Sequence, residues 1–547
     1  MRMDAAGATP PVAGVSGPAL DRRDGVALLL IVLGYGLAVL LLSPVHSFAY
    51  LDDWTYARGV ADVVQGSGFH PSEYAQATLI TPTYWGVAFA GLFGFSFTTL
   101  TLATLALSLV AALAFYALLR RLGYGPGLSG VGVGLLALNP YYLVLSYSFM
   151  TEIPFVALLL LSCLCYGEGL RGGQARWLWA GAAFGALAYL TRQFGLVTPL
   201  AALLWLAYAR RLSWSRCWAV SLLPLLAVGG YFVWSRPFGP TFSASVGREE
   251  LVALLRPFTW ANRASHFVYL AAFLPGLTLP LWGRVRRPRF LAGAMVAVAG
   301  AVYGLWQVKG SLVAQGTSTI NDLSYTWLQP AFGDPVPIYC LGAALTLWLL
   351  WSLVERAAPQ WRALWRRQRP PAPSDFLALV AVILFGGTYL VSAGFLDRYW
   401  LPVLPFLIAV GLGTLRGVGR RGLLLRGGLF ALVAGYGIVM HLDDYAGHTA
   451  AWNAGQWLVA RGVSYRQIKS YAGWEGYYLG DVALREQPSQ DVAVLGRVFA
   501  PDLIIDPQYV VSPDPLPGYT VLARFPYPNL REGGIVRAQL VLERDAP

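Results

Sequence analysis

Two adjacent carboxylates in A-Y-L-D-D-W-T-Y, residues 49–56, are the first side chains whose type and placement suit chemistry. Asp52 and Asp53 follow an apolar run of roughly 20 residues, the length that crosses a bilayer. Carboxylates there repel each other and face a low-dielectric neighbour, so a chain keeps them for a metal ion, a cationic substrate or proton transfer. A solvated acidic loop is the plain alternative. Successive residues point different ways, so one carboxylate can face a cavity while the other is anchored. A carboxylate in a cavity serves as a general base for a hydroxyl or amine. A divalent ion would want more ligands. His70 and Glu73 are near in sequence, but their spacing is no recognised metal signature, and metal dependence stays open.

Three further ionisable residues stand at the ends of apolar runs. Glu152 opens one in S-Y-S-F-M-T-E-I-P-F (146–155), where Thr151 and the acid also make good helix-start chemistry. Arg192 lies in L-T-R-Q-F-G (190–195) and Arg398 in F-L-D-R-Y-W-L-P-V-L-P-F-L (395–407). A guanidinium at such a place matches a phosphate in a bidentate fork, whereas snorkelling, or a pair with Asp397, is the structural reading. The five histidines, at 46, 70, 266, 441 and 448, are scattered and favour structural roles. Asp443 and Asp444 read as a solvated domain entrance.

The elements that must position these residues are membrane helices. Of 547 residues 56% are hydrophobic and 12% charged, with mean hydropathy +0.53, against about 25% charged in soluble domains. The net charge of +12 is mostly arginine between apolar runs, which fits membrane orientation and excludes a nucleic-acid-binding face. Cys163, Cys165, Cys217 and Cys340 fall in or beside spans and outline neither a disulfide framework nor a thiolate metal site.

Apolar runs at 25–43, 98–118, 126–145, 152–169, 177–191, 194–209, 216–235, 265–283, 290–307, 336–354, 375–394, 400–415 and 422–440 predict about 13 transmembrane helices. Arginines fall in alternate loops, from Arg22 and Arg23 to the cluster at 416–426. The positive-inside rule then sets the N-terminus in the cytoplasm and the C-terminus outside. The expected organisation is a disordered cytoplasmic tail (1–24), a transmembrane catalytic domain (25–440) and a small extracytoplasmic α/β domain (441–547). Within the second, residues 44–97 form a long first external loop, whose 81–96 part reads as surface-lying or re-entrant. In the third, a short helix near 454–463 and strands near 491–498, 501–506, 509–511 and 518–525 are expected. External loops at 236–264 and 308–335 are also long, so chemistry belongs on the outer face.

The acidic pair followed by Tyr56, Glu152 at the start of the fourth run, and R-Y-x-x-P-x-x-P at Arg398, Tyr399, Pro402 and Pro405 together resemble the GT-C glycosyltransferases. The likeness is to the protein O-mannosyltransferase and lipid A aminoarabinose-transferase branch, and covers most of the membrane part. It implies transfer of a sugar from a polyprenyl-phosphate carrier to an acceptor (lipid, glycan or protein) on the outer face of the cell membrane. Asp52 is then the catalytic base, with Asp53 and Glu152 beside it; Asp53 departs from the commoner Asp-Glu pair. Arg398, Arg192 and Tyr399 fall to the carrier phosphate, and Tyr56 and Trp54 to the donor and acceptor cavity. Such a phosphate is already a good leaving group, so one in-line displacement inverts the anomeric centre without a carboxylate nucleophile. A transporter or flippase of lipid-linked sugars is the rival. A transporter would place its charges at the bilayer midplane, often within inverted repeats.

Overall fold

A computed structural model describes residues 21–70, 77–236, 288–309, 370–391, 397–415, 418–486 and 504–545, with isolated positions between 340 and 366. The chain opens with α1 (Arg22–Leu42), started by a reciprocal cap. Asp21 accepts from the Arg23 and Asp24 amides, and Asp24 accepts from Asp21 N at 3.0 Å. Asp24 is buried and also takes a bidentate pair from Arg120, at 2.6 and 3.0 Å, and the Tyr116 hydroxyl at 2.6 Å. A carboxylate so surrounded keeps its charge in an apolar setting.

The segment expected as an external loop holds two helices, α2 (Asp53–Val64) and α3 (Ile80–Phe93). The expectation for 81–96 missed α3 because Pro82 lies in its first turn, where proline is tolerated, and not at a break. Next come α4 (Phe97–Arg121), capped by Ser96, then α5 (Pro126–Ala137) and α6 (Pro140–Ser146). The last two are one apolar run bent by 68° at Asn139–Pro140, with Asn139 capping the second half. After these follow α7 (Glu152–Gly172), α8 (Ala175–Tyr189), α9 (Val197–Tyr208), α10 (Trp214–Ser235), α11 (Pro288–Lys309), α12 (Pro373–Val391), α13 (Leu404–Leu412) and α14 (Arg420–Val459).

Among the described residues five helices are long and apolar enough to cross a membrane, or six if the bent pair is one span. Shorter apolar helices cover 193–208 and 374–387. The chain is a multi-pass membrane protein. The run expected at 265–283, most of 336–354, and nearly all of the loops at 236–264 and 308–335 lie outside the described residues, as do the tail to residue 20 and the strand expected at 491–498.

The boundary expected at 441 falls inside a helix. α14 continues unbroken for 40 residues, because 441–459 has no proline and keeps a buried stripe including Tyr445, Trp452 and Leu458. The short helix expected near 454–463 is its end. Beyond it come β1 (Ile468–Lys469), α15 (Ala472–Glu486), β2 (Tyr509–Ser512), β3 (Tyr519–Asn529) and β4 (Ile535–Arg544), in a sheet of order β1-β2-β4-β3. β1 runs parallel to β2, and the other pairs are antiparallel. Ile468, Trp474, Val511 and Val541 belong to the same buried cluster as the helices, so the sheet shares the helical core.

Candidate active site

Asp52 and Asp53 sit at the start of α2 and do different things. Asp53 is 1% exposed. Its carboxylate accepts from Tyr50 N at 2.7 Å and from Phe149 N at 3.4 Å, which ties the loop to the segment before α7. Burial pushes its pKa up, the neighbouring Asp52 charge adds to that, and the two amides pull against it. Asp53 is therefore an anchor. Leu51, just before the pair, holds a left-handed backbone, φ +56°, which costs of order 1–3 kcal/mol.

The Asp52 side chain is 29% exposed and accepts from Arg398 Nη2 at 2.6 Å. Arg398 is nearly buried, and its Nε lies 3.4 Å from Glu152 Oε1. Glu152 is fully buried, and the same oxygen lies 3.2 Å from Arg192 Nη2. Arg192 in turn stacks over the Tyr399 ring, 5.2 Å from its centroid. Two carboxylates and two guanidiniums thus alternate as Asp52, Arg398, Glu152, Arg192, from residues 346 positions apart in the chain. Opposite charges set side by side offset part of the cost of placing each in apolar surroundings.

Local structure explains each placement. Arg192 leads the tight turn between α8 and α9, where a Cβ on Gly195 would overlap the Tyr189 backbone. Thr81 N donates to Leu190 O at 3.1 Å, and the Thr78 hydroxyl to Tyr189 O, so the start of α3 braces that turn. Arg398 and Tyr399 lie in a 3-10 turn, Asp397–Trp400, packed by Trp400 against Phe385 of α12. Glu152 begins α7, yet Thr151 makes no side-chain cap, so the carboxylate serves the two arginines rather than the helix start.

Tyr56 is buried one turn along α2. Burial, with the Glu152 and Asp52 charges, pushes its phenol up, which keeps it a neutral hydrogen-bonding group. Trp54 corrects the expectation of a cavity residue: it is 3% exposed and seated on α15, where a Cβ on Gly480 would meet its ring at 2.7 Å. Its indole is a packing wedge. Among the described residues no group of three or more His, Cys, Asp or Glu is arranged to hold a metal ion, and Glu73 lies outside them.

Behind the loop is a second polar cluster that the sequence reading missed. The Tyr50 hydroxyl donates to Asp444 Oδ2 at 2.6 Å, and His448 Nδ1 lies 3.4 Å from Asp444 Oδ1. The i, i+4 spacing of Asp444 and His448 on one helix was the available signal. Asp443 is not a solvated entrance either: it is buried and binds the 530–531 backbone. His46 bridges Phe48 O and the Thr101 hydroxyl, both at 2.9 Å; burial holds it at about 4, so it is neutral and structural.

Residues 81–234 match the family described as dolichyl-phosphate-mannose-protein mannosyltransferase. The chain resembles the GT-C glycosyltransferases. The match covers less than a third of the chain and includes Glu152 and Arg192, while Asp52 and Arg398 lie outside it. Among solved structures, ArnT from Cupriavidus metallidurans bound to undecaprenyl phosphate is similar at 15% identity, with 96% of this chain and all of that one covered and a TM-score of 0.43. The archaeal oligosaccharyltransferase AglB from Archaeoglobus fulgidus, in complex with an inhibitory peptide and a dolichol-phosphate, is similar at 14% identity. There 89% of this chain and 69% of that one are covered, with a TM-score of 0.43. No curated protein matches the sequence.

Proposed function

We propose that the chain is an inverting glycosyltransferase that moves a sugar from a polyprenyl-phosphate carrier to an acceptor on the outer face of the membrane. The observation that carries this is Asp52: a partly exposed carboxylate held 2.6 Å from the buried, doubly paired guanidinium of Arg398. The match of residues 81–234 to dolichyl-phosphate-mannose-dependent enzymes supports the donor class. A lipid-linked donor also suits a chain whose candidate site is built from the ends of apolar helices.

Asp52 takes the proton of an acceptor hydroxyl or amine as that group attacks the anomeric carbon. The bond from that carbon to the phosphate oxygen breaks, and the electron pair leaves with the carrier phosphate. Arg398 and Arg192 receive the charge that gathers on the phosphate, in a setting where guanidiniums act far more strongly than in water. Glu152 keeps both arginines aimed while no phosphate is present. As phosphate approaches, Arg398 exchanges part of its pairing with Asp52, which frees that carboxylate to act as base.

The test supplies purified protein in lipid nanodiscs with radiolabelled polyprenyl-phosphate sugars and membrane extracts as acceptor source. Donor consumption with release of free polyprenyl phosphate is the expected result. Movement of intact donor across proteoliposome membranes without consumption would replace this reading with a transporter or flippase.

A further inference from the structure

The β3–β4 hairpin runs back along α14 toward the membrane. Phe525 packs against Trp457, with ring centroids 6.2 Å apart; Tyr527 lies over Gly447, where a Cβ would meet its ring at 3.6 Å. The Leu530 and Arg531 amides then donate to the Asp443 carboxylate at 2.6 and 3.0 Å. The partners on α14 thus descend from 457 to 447 to 443 as the strand advances from 525 to 531. Residues 422–440 are the apolar part of that helix and rise about 27 Å, close to the thickness of a hydrocarbon core. Asp443 stands one turn beyond it, so the hairpin turn at Gly533–Gly534 lies at the level of the bilayer surface.

Among the described residues of the sheet apolar exposure is greatest at that tip, although Leu522 of β3 is also 45% exposed. β3 alternates half-buried and exposed residues along its length, as a strand with one covered face should. The first residues of β4 do not: Ile535 is 60% and Val536 67% exposed, and Leu530 across the turn is 44% exposed. Ile535 and Val536 leave on opposite faces of the strand, so the tip projects past the body that covers the sheet. Its charges are paired, Arg531 with Asp443 and Arg537 with Glu532. Apolar side chains without an isolated charge, at the end of a span, suit the headgroup boundary of a bilayer.

We propose that the Leu530–Val536 tip is an interfacial anchor, seated in the phospholipid surface beside the 422–440 span and fixing the height of the sheet and α15 above the membrane. Trp474 of α15 packs on Trp452 and Gly455 of α14, and α15 carries the glycines on which Trp54 sits, so the path from the anchor to the loop of Asp52 runs through α14. The proposal rests on the membrane span and not on the glycosyltransferase reading.

The test uses the full chain in nanodiscs, with an environment-sensitive fluorophore at Ile535→Cys or Val536→Cys. Leu516→Cys, in the turn at the other end of β3, is the reference, and protein without an added cysteine gives the background of the four native thiols. The expected result is a blue-shifted emission at 535 or 536 relative to 516, with most of it lost when lipids carrying a headgroup-level nitroxide are included. Quenching at either site supports the anchor, since the two side chains take opposite faces and both positions are exposed enough to accept cysteine. Emission at both sites like that of 516, without quenching, would place the tip in water and overturn the proposal. A blue shift that nitroxide lipids leave untouched would also overturn it, by showing that protein covers the tip: another segment of this chain or a second copy.

Discussion

Arg398 is held by Asp52 and Glu152 together, and that sets what its removal does. Arg398→Ala leaves the fully buried Glu152 carboxylate with Arg192 as its one remaining guanidinium in the cluster. The expected cost is about 3–5 kcal/mol, read as a lower thermal midpoint in detergent. Arg398→Lys keeps the charge and loses the fork, so stability should fall much less while polyprenyl-phosphate binding weakens. Equal losses in both variants would contradict the pairing. Asp53 makes a separate prediction, because burial raises its folded pKa above the ordinary 3.8. Its contribution to stability is full below that value, is lost as pH rises toward the raised one, and is constant beyond it. Wild type should therefore lose thermal stability relative to Asp53→Asn as pH climbs from about 4, and a difference that stays flat with pH would sink this account of Asp53. At this scale Asp52, Glu152, Arg192 and Arg398 were legible because charges are scarce in apolar sequence. Tyr50 and the Asp444–His448 pair were not, since a tyrosine near a span and an acid just past one are ordinary. Trp54 was misread because sequence does not reveal two glycines arriving from residues 476 and 480.

The elements that carry the site depend on close approach. The turn before α9 leaves no room at Gly195, so Gly195→Ala should displace Arg192 and lower donor binding together with the thermal midpoint. Gly476→Ala should push α15 off Trp54 at a cost of about 1–3 kcal/mol, as overpacking in a filled core does. Retained stability in that variant would mean that α15 is not seated on α2. Most helices were visible as apolar runs, and observed ends for α4, α7, α8, α10 and α12 fall within a few residues of those expected. Two features were hidden. α3 was masked by Pro and Gly within a short apolar run. The continuity of α14 was masked by a fall in hydropathy at 441, which marks where a helix leaves lipid and says nothing about where it ends.

For the whole molecule, the orientation proposed from arginine placement has the sheet and the Asp52 loop outside. A membrane-impermeant thiol reagent should then label Leu516→Cys in intact cells, and protection until the membrane is opened would invert the topology. The strands at 509–511 and 518–525 were readable from β-branched and aromatic runs between turns, whereas β4 was not picked out. Its tip breaks the alternation that marks a strand, which is the same property that leaves Ile535 and Val536 exposed. That one core joins helices and sheet was invisible too, because it depends on Ile468, Trp474, Val511 and Val541 packing into the helical cluster from far along the chain. The central claim is that Asp52, held against Arg398, is the base of a lipid-linked sugar transfer. The most direct measurement is sugar transfer from a radiolabelled polyprenyl-phosphate donor by wild type and Asp52→Asn, with folding of both verified by thermal midpoint. The account predicts transfer by wild type and a loss of about 10²–10⁴-fold in a folded Asp52→Asn variant. Equal transfer by both would remove Asp52 as the base and contradict the account.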